Sequence, residues 1–203
     1  MRRFSTRIWL AAASAALAAV LLIAGGLALW GSAYVHNTVQ GQLASQQIFF
    51  PPASAFAHAK AGTEITPSMI PSVSQYAGQQ MLTGQQAEAY ADHFIAVHIQ
   101  EMGAGKTYSQ LSAEAIAQPK NTTLADTVST VFKGETLRSM LLNAYGWWKV
   151  SQIVYIVSLV LFGLGTVAGL GAAYLFAFGR RPRSAHQVAQ PGSHETITPA
   201  TTA

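Results

Sequence analysis

Two long uncharged runs constrain this chain more than any other feature of its sequence. The first extends from Ile8 to Val35 and the second from Val150 to Phe178, and neither contains Asp, Glu, Lys, Arg or His. A helix crosses the hydrocarbon core of a bilayer with about twenty residues, so each run is long enough to span a membrane. The sequence therefore predicts two transmembrane helices separated by a more polar middle segment.

The arginines that flank these runs predict the orientation of the chain. Three lie before the first run and three after the second: Arg2, Arg3, Arg7, Arg180, Arg181 and Arg183. Lysines and arginines next to membrane segments mark the cytoplasmic side, so both termini are predicted to be cytoplasmic in a multi-pass protein of the cell membrane. Between Tyr34 and Lys149 the acidic and basic residues nearly balance, and this near-neutral middle gives no basic surface for nucleic acid.

Five segments follow from this pattern. They are a cytoplasmic N-terminus (1–7), a first transmembrane helix (8–33), an extracytoplasmic helical domain (34–149), a second transmembrane helix (150–178) and a disordered cytoplasmic tail (179–203). The first run is about twice as long as the core of a typical signal peptide, which has about 7 to 15 residues, so it is predicted to remain as an anchor. The sequence has no cysteine, so the domain is expected to hold by packing alone.

Aromatic and basic residues lie at both ends of the second run. Trp147, Trp148 and Lys149 precede it, and Arg180 and Arg181 follow it. Tryptophan and basic side chains concentrate at the headgroup level of membranes, so these five residues are predicted to be membrane-interface anchors.

Small residues recur at every fourth position within both runs. Gly165, Gly169 and Ala173 form such a stripe in the second run, and Ala11, Ala15 and Ala19 form one in the first. In lipid, this spacing lets two helix backbones approach closely. The stripes predict a packing seam, either between the two spans or between copies of the protein. The alternative is that alanine and glycine are simply common in membrane helices.

Periodic apolar residues predict helices in the middle segment. The first helix is expected to continue to about Gln47, and later helices cover about Thr83 to Met102 and about Tyr108 to Gln118. The apolar stripe of the helix from Thr83 to Met102 comprises Ala87, Tyr90, Ala91, Phe94, Ile95, His98 and Met102. A final helix from about Leu124 is expected to enter the membrane without interruption. The predicted fold is an all-α membrane protein with two transmembrane helices flanking a small extracytoplasmic helical domain, on a stalk of two extended helices.

His98 and Glu101 are the candidate metal ligands. They lie three positions apart and so share one face of a helix. His93 lies about 140° around the helix from His98, because five positions turn through about 500°. A site would need a further ligand from elsewhere in the chain, so neither a metal nor another cofactor is predicted.

Several short segments resemble a family of small two-span membrane proteins of actinobacteria. These segments are Gln47–Pro52, Tyr76–Gln80, Gly105–Tyr108, Phe132–Arg138 and Ala144–Trp148, and the resemblance covers about residues 8–178. The family has no established activity, so the resemblance implies no functional residue. Some members bear a name suggesting an aromatic ring-opening dioxygenase. Such an iron site needs two histidines and a carboxylate that converge, which the spacing of His93 and His98 does not supply.

These observations favour a non-enzymatic accessory or binding protein whose external domain engages a membrane or envelope protein, a second copy or an envelope ligand. One alternative is an oligomeric two-span pore, although the absence of charged residues from both runs disfavours an ion path. Another alternative is a metal-dependent enzyme that uses His98 and Glu101 in the external domain.

Overall fold

The computed structural model describes residues 2–179, and within them the protein is helical with no β-strand. The helices are α1 (Arg2–Ser45), α2 (Ala53–Ala57), α3 (Ile70–Val73), α4 (Gly84–Tyr90), α5 (Ala96–Met102), α6 (Tyr108–Ala117) and α7 (Thr122–Gly179). Short 3₁₀ turns at Pro67–Met69 and Ser74–Tyr76 flank α3, and a π-helical turn at Ala91–Ile95 joins α4 to α5. The predicted anchors Arg180 and Arg181 lie outside the described residues, and so does the predicted tail apart from Gly179, which ends α7.

The two longest helices, α1 and α7, form the frame of the protein. They contain 44 and 58 residues, and each is long and apolar enough to cross a membrane. The first helix ends at Ser45, close to the predicted end, and Pro51 and Pro52 follow it. The last helix runs without a break from Thr122, as predicted.

The seam between α1 and α7 has a seven-residue repeat. Its buried residues on α1 are Ala11, Ala18, Gly25, Ser32 and Val39, and on α7 they are Ser151, Ser158, Gly165 and Ala172. The two helices are antiparallel, since Gly25 lies against Leu161 whereas Ala18 lies against Gly169. Seven residues fall about 20° short of two full turns of a straight helix, so this repeat implies a left-handed supercoil.

The seam differs from the predicted stripes in its spacing. A Cβ added to Gly165 would lie 2.9 Å from Leu22 Cγ, and one added to Gly169 would lie 3.7 Å from Ala18 Cβ, so both glycines face α1. Ala173 is exposed, and the buried Ala172 takes its place. Residues four positions apart differ by about 40° around a helix, whereas residues seven positions apart differ by about 20°. A stripe with four-residue spacing therefore leaves the seam sooner than one with seven-residue spacing.

The extensions of α1 and α7 beyond the apolar runs are built into the core of the domain. Val39 and Leu43 from α1 and Val131, Leu141 and Trp148 from α7 belong to one cluster of buried apolar residues. The other members are Phe50, Phe56, Ile65, Met69, Val73, Met81, Ala87, Ala91, Ile95, Ile99 and Leu111. One shared core therefore joins both long helices to the segment between them.

The short helices α4, α5 and α6 lie alongside α7 rather than on top of a bare stalk. Gly84, the first residue of α4, packs against Trp148, and Ile99 of α5 packs against Gly134. The α4–α5 segment thus runs antiparallel to α7 over about four turns. This arrangement differs from the predicted stalk because the apolar residues on the extensions are covered from the side, which removes them from water.

The α4–α5 segment keeps one face on the core through its π turn. Thr83 caps its start, with the Thr83 Oγ1 accepting from the Gln86 backbone N–H at 3.2 Å. The core positions that follow are four residues apart: Ala87, Ala91, Ile95 and Ile99. A regular α-helix would turn this series by about 40° at each step, and the wider π turn offsets part of that drift. Met102, which the predicted stripe placed on the core face, is 46% exposed because it lies off this line.

We predict that Gly84→Ala destabilises the domain, because a Cβ at this position would lie 2.4 Å from Trp148 Cβ. Overpacking of this kind costs about 1–3 kcal/mol. The measurement is the thermal unfolding midpoint in detergent, with tryptophan fluorescence as the signal that reports unfolding. Gly146→Ala is the matched control, since nothing lies within 4 Å of its Cβ position. Equal midpoints for the two variants would contradict the close approach of α4 to α7.

Candidate functional site

Two grooves flank the α1–α7 pair near the junction between the apolar runs and the domain. The first, the boundary groove, has a volume of about 510 Å³. It is lined by Leu29, Ser32, Ala33, His36 and Asn37 from α1 and by Ser151, Gln152, Tyr155 and Ile156 from α7. The groove therefore combines apolar and polar side chains where the apolar runs meet the domain.

Buried hydroxyl groups join the two helices beside the boundary groove. Ser32 Oγ donates to the Ser151 backbone oxygen at 2.7 Å, and Ser151 Oγ donates to the Trp148 backbone oxygen at 2.7 Å. Ser32 and Ser151 are 6% and 2% exposed. The bond from Ser32 links α1 to α7 and fixes their register at this level, whereas the bond from Ser151 lies within α7.

The upper end of the boundary groove lies directly beneath the domain. The His36 ring packs on the Trp148 ring, with 3.9 Å between their centroids, and Trp148 in turn lies against Gly84 at the start of α4. Trp148 Nε1 is buried and has no hydrogen-bond partner among the described residues. The His36–Trp148 pair thus separates the groove from the domain core.

The second groove, the far groove, runs along the opposite side of the pair. It consists of two adjoining hollows of about 300 and 160 Å³, and Gln42 lines both. The remaining lining residues include Tyr34, Thr38 and Gln46 from α1 and Leu137, Met140, Asn143 and Trp147 from α7. Met140, Asn143 and Trp147 lie about 80–140° around α7 from Trp148, which faces the short helices.

A network of ion pairs links α7 to the short helices. Arg138 Nη2 lies 2.8 Å from Asp92 Oδ1, and Arg138 Nη1 lies 3.6 Å from Glu135 Oε2. The hydrogen bond from Arg138 to Asp92 raises the pKa of the arginine above its ordinary value. These contacts tie the π turn to α7, and the lining of the far groove contains none of these charges.

The candidate metal ligands do not form a cluster. His98 Nδ1 donates to the Phe94 backbone oxygen at 2.8 Å, and its ring packs on Phe94 with 4.6 Å between centroids. Glu101 is exposed. Within residues 2–179, no group of three or more His, Asp or Glu side chains is placed to hold one ion.

His98 instead ends a row of aromatic rings that the sequence analysis did not identify. The row passes from Tyr76 through Phe50, Tyr90 and Phe94 to His98, with neighbouring centroids 4.6–5.4 Å apart. Tyr90 and Phe94 share one helical face, but Phe50 and Tyr76 come from distant segments. Only the tertiary structure brings these rings together.

The predicted interface anchors divide into exposed and buried side chains. Trp147 is 53% exposed, and Lys149 Nζ lies 5.6 Å from the centroid of the Tyr145 ring. Trp148 is 5% exposed and belongs to the domain core. The membrane-interface anchor predicted at Trp148 is therefore a buried side chain, which Gly84 and His36 cover.

No protein-family model, curated protein or solved structure matches this chain. The resemblance to small two-span membrane proteins stays a prediction. The functional assignment therefore depends on the two grooves and on the apolar helices that carry them.

We predict that Tyr90 makes the domain sensitive to alkaline pH. Burial of its side chain, with a smaller effect from the charge of Glu64, raises the pKa of the phenol above 10. The neutral phenol thus favours the folded state, and this stability is present below about pH 10 and lost as pH rises through the folded-state pKa.

The measurement is the unfolding midpoint of the parent protein and of Tyr90→Phe at pH 8 and above pH 10. We expect similar midpoints at pH 8 and a smaller alkaline loss for Tyr90→Phe, which has no ionisable hydroxyl. An equal alkaline loss in both proteins would show that Tyr90 does not carry the effect.

Proposed function

We propose that this chain is an integral protein of the cell membrane whose external helical domain binds a membrane-embedded partner protein along the far groove. In this proposal both termini are cytoplasmic, and α1 and α7 each cross the bilayer once. Two long apolar helices and the arginines before residue 8 and after residue 179 support this placement. The role is that of a binding or accessory protein.

The observation that carries the proposal is the uncharged, partly apolar surface of the far groove. Tyr34, Met140 and Trp147 are 62%, 64% and 53% exposed. The α1 side belongs to a stretch from Ile8 to Ala59 that contains no Asp, Glu, Lys or Arg. A helix that extends into water usually carries charged residues on its exposed face. The uncharged α1 side of the far groove is therefore unusual for a surface that contacts only solvent.

The composition of the far groove matches that of protein interfaces. Interface centres are depleted in charged residues and enriched in aromatic residues and methionine. Trp147 and Met140 supply such apolar contacts, while the exposed amides of Gln42 and Asn143 can exchange hydrogen bonds with a partner backbone or side chain.

The position of the far groove indicates a partner within the same membrane. Tyr34, at its lower end, stacks on Trp30 with 5.8 Å between ring centroids, and Trp30 is itself 68% exposed on the apolar run. The exposed surface thus continues from the domain onto the lipid-facing side of α1. A partner helix that leaves the bilayer beside Trp30 would follow the groove upward.

We predict that a photo-crosslinking amino acid at position 140 captures a partner in native membranes. The matched control is position 93, because His93 is exposed on the π turn on the other side of α7. The expected result is a discrete product from position 140 that is absent from position 93. A product at twice the 21.5 kDa chain mass would identify the partner as a second copy.

A charge in the groove provides an independent test. Met140→Glu should reduce capture from position 42 at least about tenfold, since an unpaired carboxylate in an interface is costly to desolvate. Capture that is equal at positions 140 and 93, or unaffected by Met140→Glu, would contradict the proposed surface.

A further inference from the structure

The boundary groove contains polar side chains whose hydrogen-bonding groups are unused within the described part of the chain. The hydroxyls of Ser32 and Ser151 both donate to backbone oxygens. In contrast, the side chains of His36, Asn37 and Gln152, which also line the groove, make no hydrogen bond to another described residue. These three side chains are available to a ligand.

The depth of these side chains matters because water becomes scarce within the bilayer. With the boundary at about residues 33 and 150, Gln152 lies about 3 Å inside the apolar layer and Asn37 about 6 Å outside it. An unpaired amide at the edge of hydrocarbon is costly, since nothing there replaces its hydrogen bonds to water. Gln152 therefore needs an acceptor or donor that resides at this depth.

The polarity of the groove changes along the membrane normal. Leu29 and Ile156 line its inner end, whereas His36 and Asn37 line its outer end. The distance from Leu29 to Asn37 along α1 is about 12 Å at 1.5 Å per residue. An occupant that matches this lining is therefore apolar on the inner side and carries hydrogen-bonding groups on the outer side.

The domain above the groove excludes a long helical occupant. The His36–Trp148 pair and Gly84 of α4 lie immediately above the groove, so a second helix running upward through it would meet α4. A molecule that ends at the headgroup level meets no such obstacle. The volume of about 510 Å³ falls within the range of about 300–1,000 Å³ that is usual for small-ligand sites.

We infer that the boundary groove binds one phospholipid of the outer leaflet. One of its two acyl chains lies along Leu29 and Ile156, and its ester and phosphate oxygens accept hydrogen bonds from the side-chain amides of Asn37 and Gln152. No Asp, Glu, Lys or Arg lines the groove, so the site recognises these oxygens rather than the net charge of the headgroup. This inference rests on the membrane placement given under the proposed function.

The test is native mass spectrometry of the full chain after reconstitution into vesicles of equal parts zwitterionic and anionic phospholipid and extraction in mild detergent. The parent protein should retain one phospholipid per chain, of either headgroup. The double variant Asn37→Leu/Gln152→Leu should retain about tenfold less, the change that the loss of two net hydrogen bonds produces. Ala33→Phe, which fills the groove and leaves both amides in the sequence, should also reduce retention.

The matched control is Gln42→Leu/Asn143→Leu, which removes two amides from the far groove and should retain lipid like the parent. Equal retention by the boundary-groove and far-groove variants would overturn the site, as would a parent protein that inserts but carries no stoichiometric lipid. A chain that fails to insert into the vesicles would contradict the membrane placement itself, and with it this site.

Discussion

The close approach of α1 and α7 is the interaction on which the rest of the structure depends. Lipid tails are as apolar as the side chains of a membrane helix, so burial alone does not hold two such helices together. Contact between small residues does, because it brings the backbones near enough for extensive van der Waals packing. Alanine, glycine and serine occupy the seam at seven-residue intervals, and the bond from Ser32 to Ser151 adds a polar link.

The same helix faces continue from the seam into the domain, where their composition changes. Beyond Ser32 the next seam position on α1 is Val39, and before Ser151 α7 presents Trp148 and Leu141. Small residues suit lipid, whereas large apolar ones gain stability when the short helices remove them from water. Both grooves lie where this change occurs, on either side of the paired helices.

Much of the fold was predictable from the sequence because its strongest signals are local. The two apolar runs, the unbroken last helix and the helix that starts after Thr83 each depend on residues within a few turns of one another. The exact seam could not be predicted from the sequence, because Ala172 and Ala173 are equally small and only the partner helix distinguishes them. The stalk was also misjudged, because the sequence does not show that Gly84 packs against Trp148.

The grooves were harder to predict than the fold. Gln152 gave a local signal, as a polar residue two positions inside an apolar run, but its neighbours His36 and Asn37 come from a helix more than a hundred residues away. One sequence feature that indicates the far groove is the stretch from Ile8 to Ala59, which contains no Asp, Glu, Lys or Arg. That stretch became informative once the structure placed Met140 and Trp147 beside it.

The most direct measurement of the central claim is disulfide formation between α1 and α7. The natural chain has no cysteine, and the Cβ position at Gly169 lies 3.7 Å from Ala18 Cβ, within the range of about 3.5–4.5 Å for a disulfide. The account predicts that Ala18→Cys/Gly169→Cys forms an intramolecular disulfide on mild oxidation, whereas Ala15→Cys/Gly163→Cys, whose parent residues lie outside the seam, does not. Failure of the first pair to form a bond within one chain, or equal efficiency for both pairs, would contradict the seam.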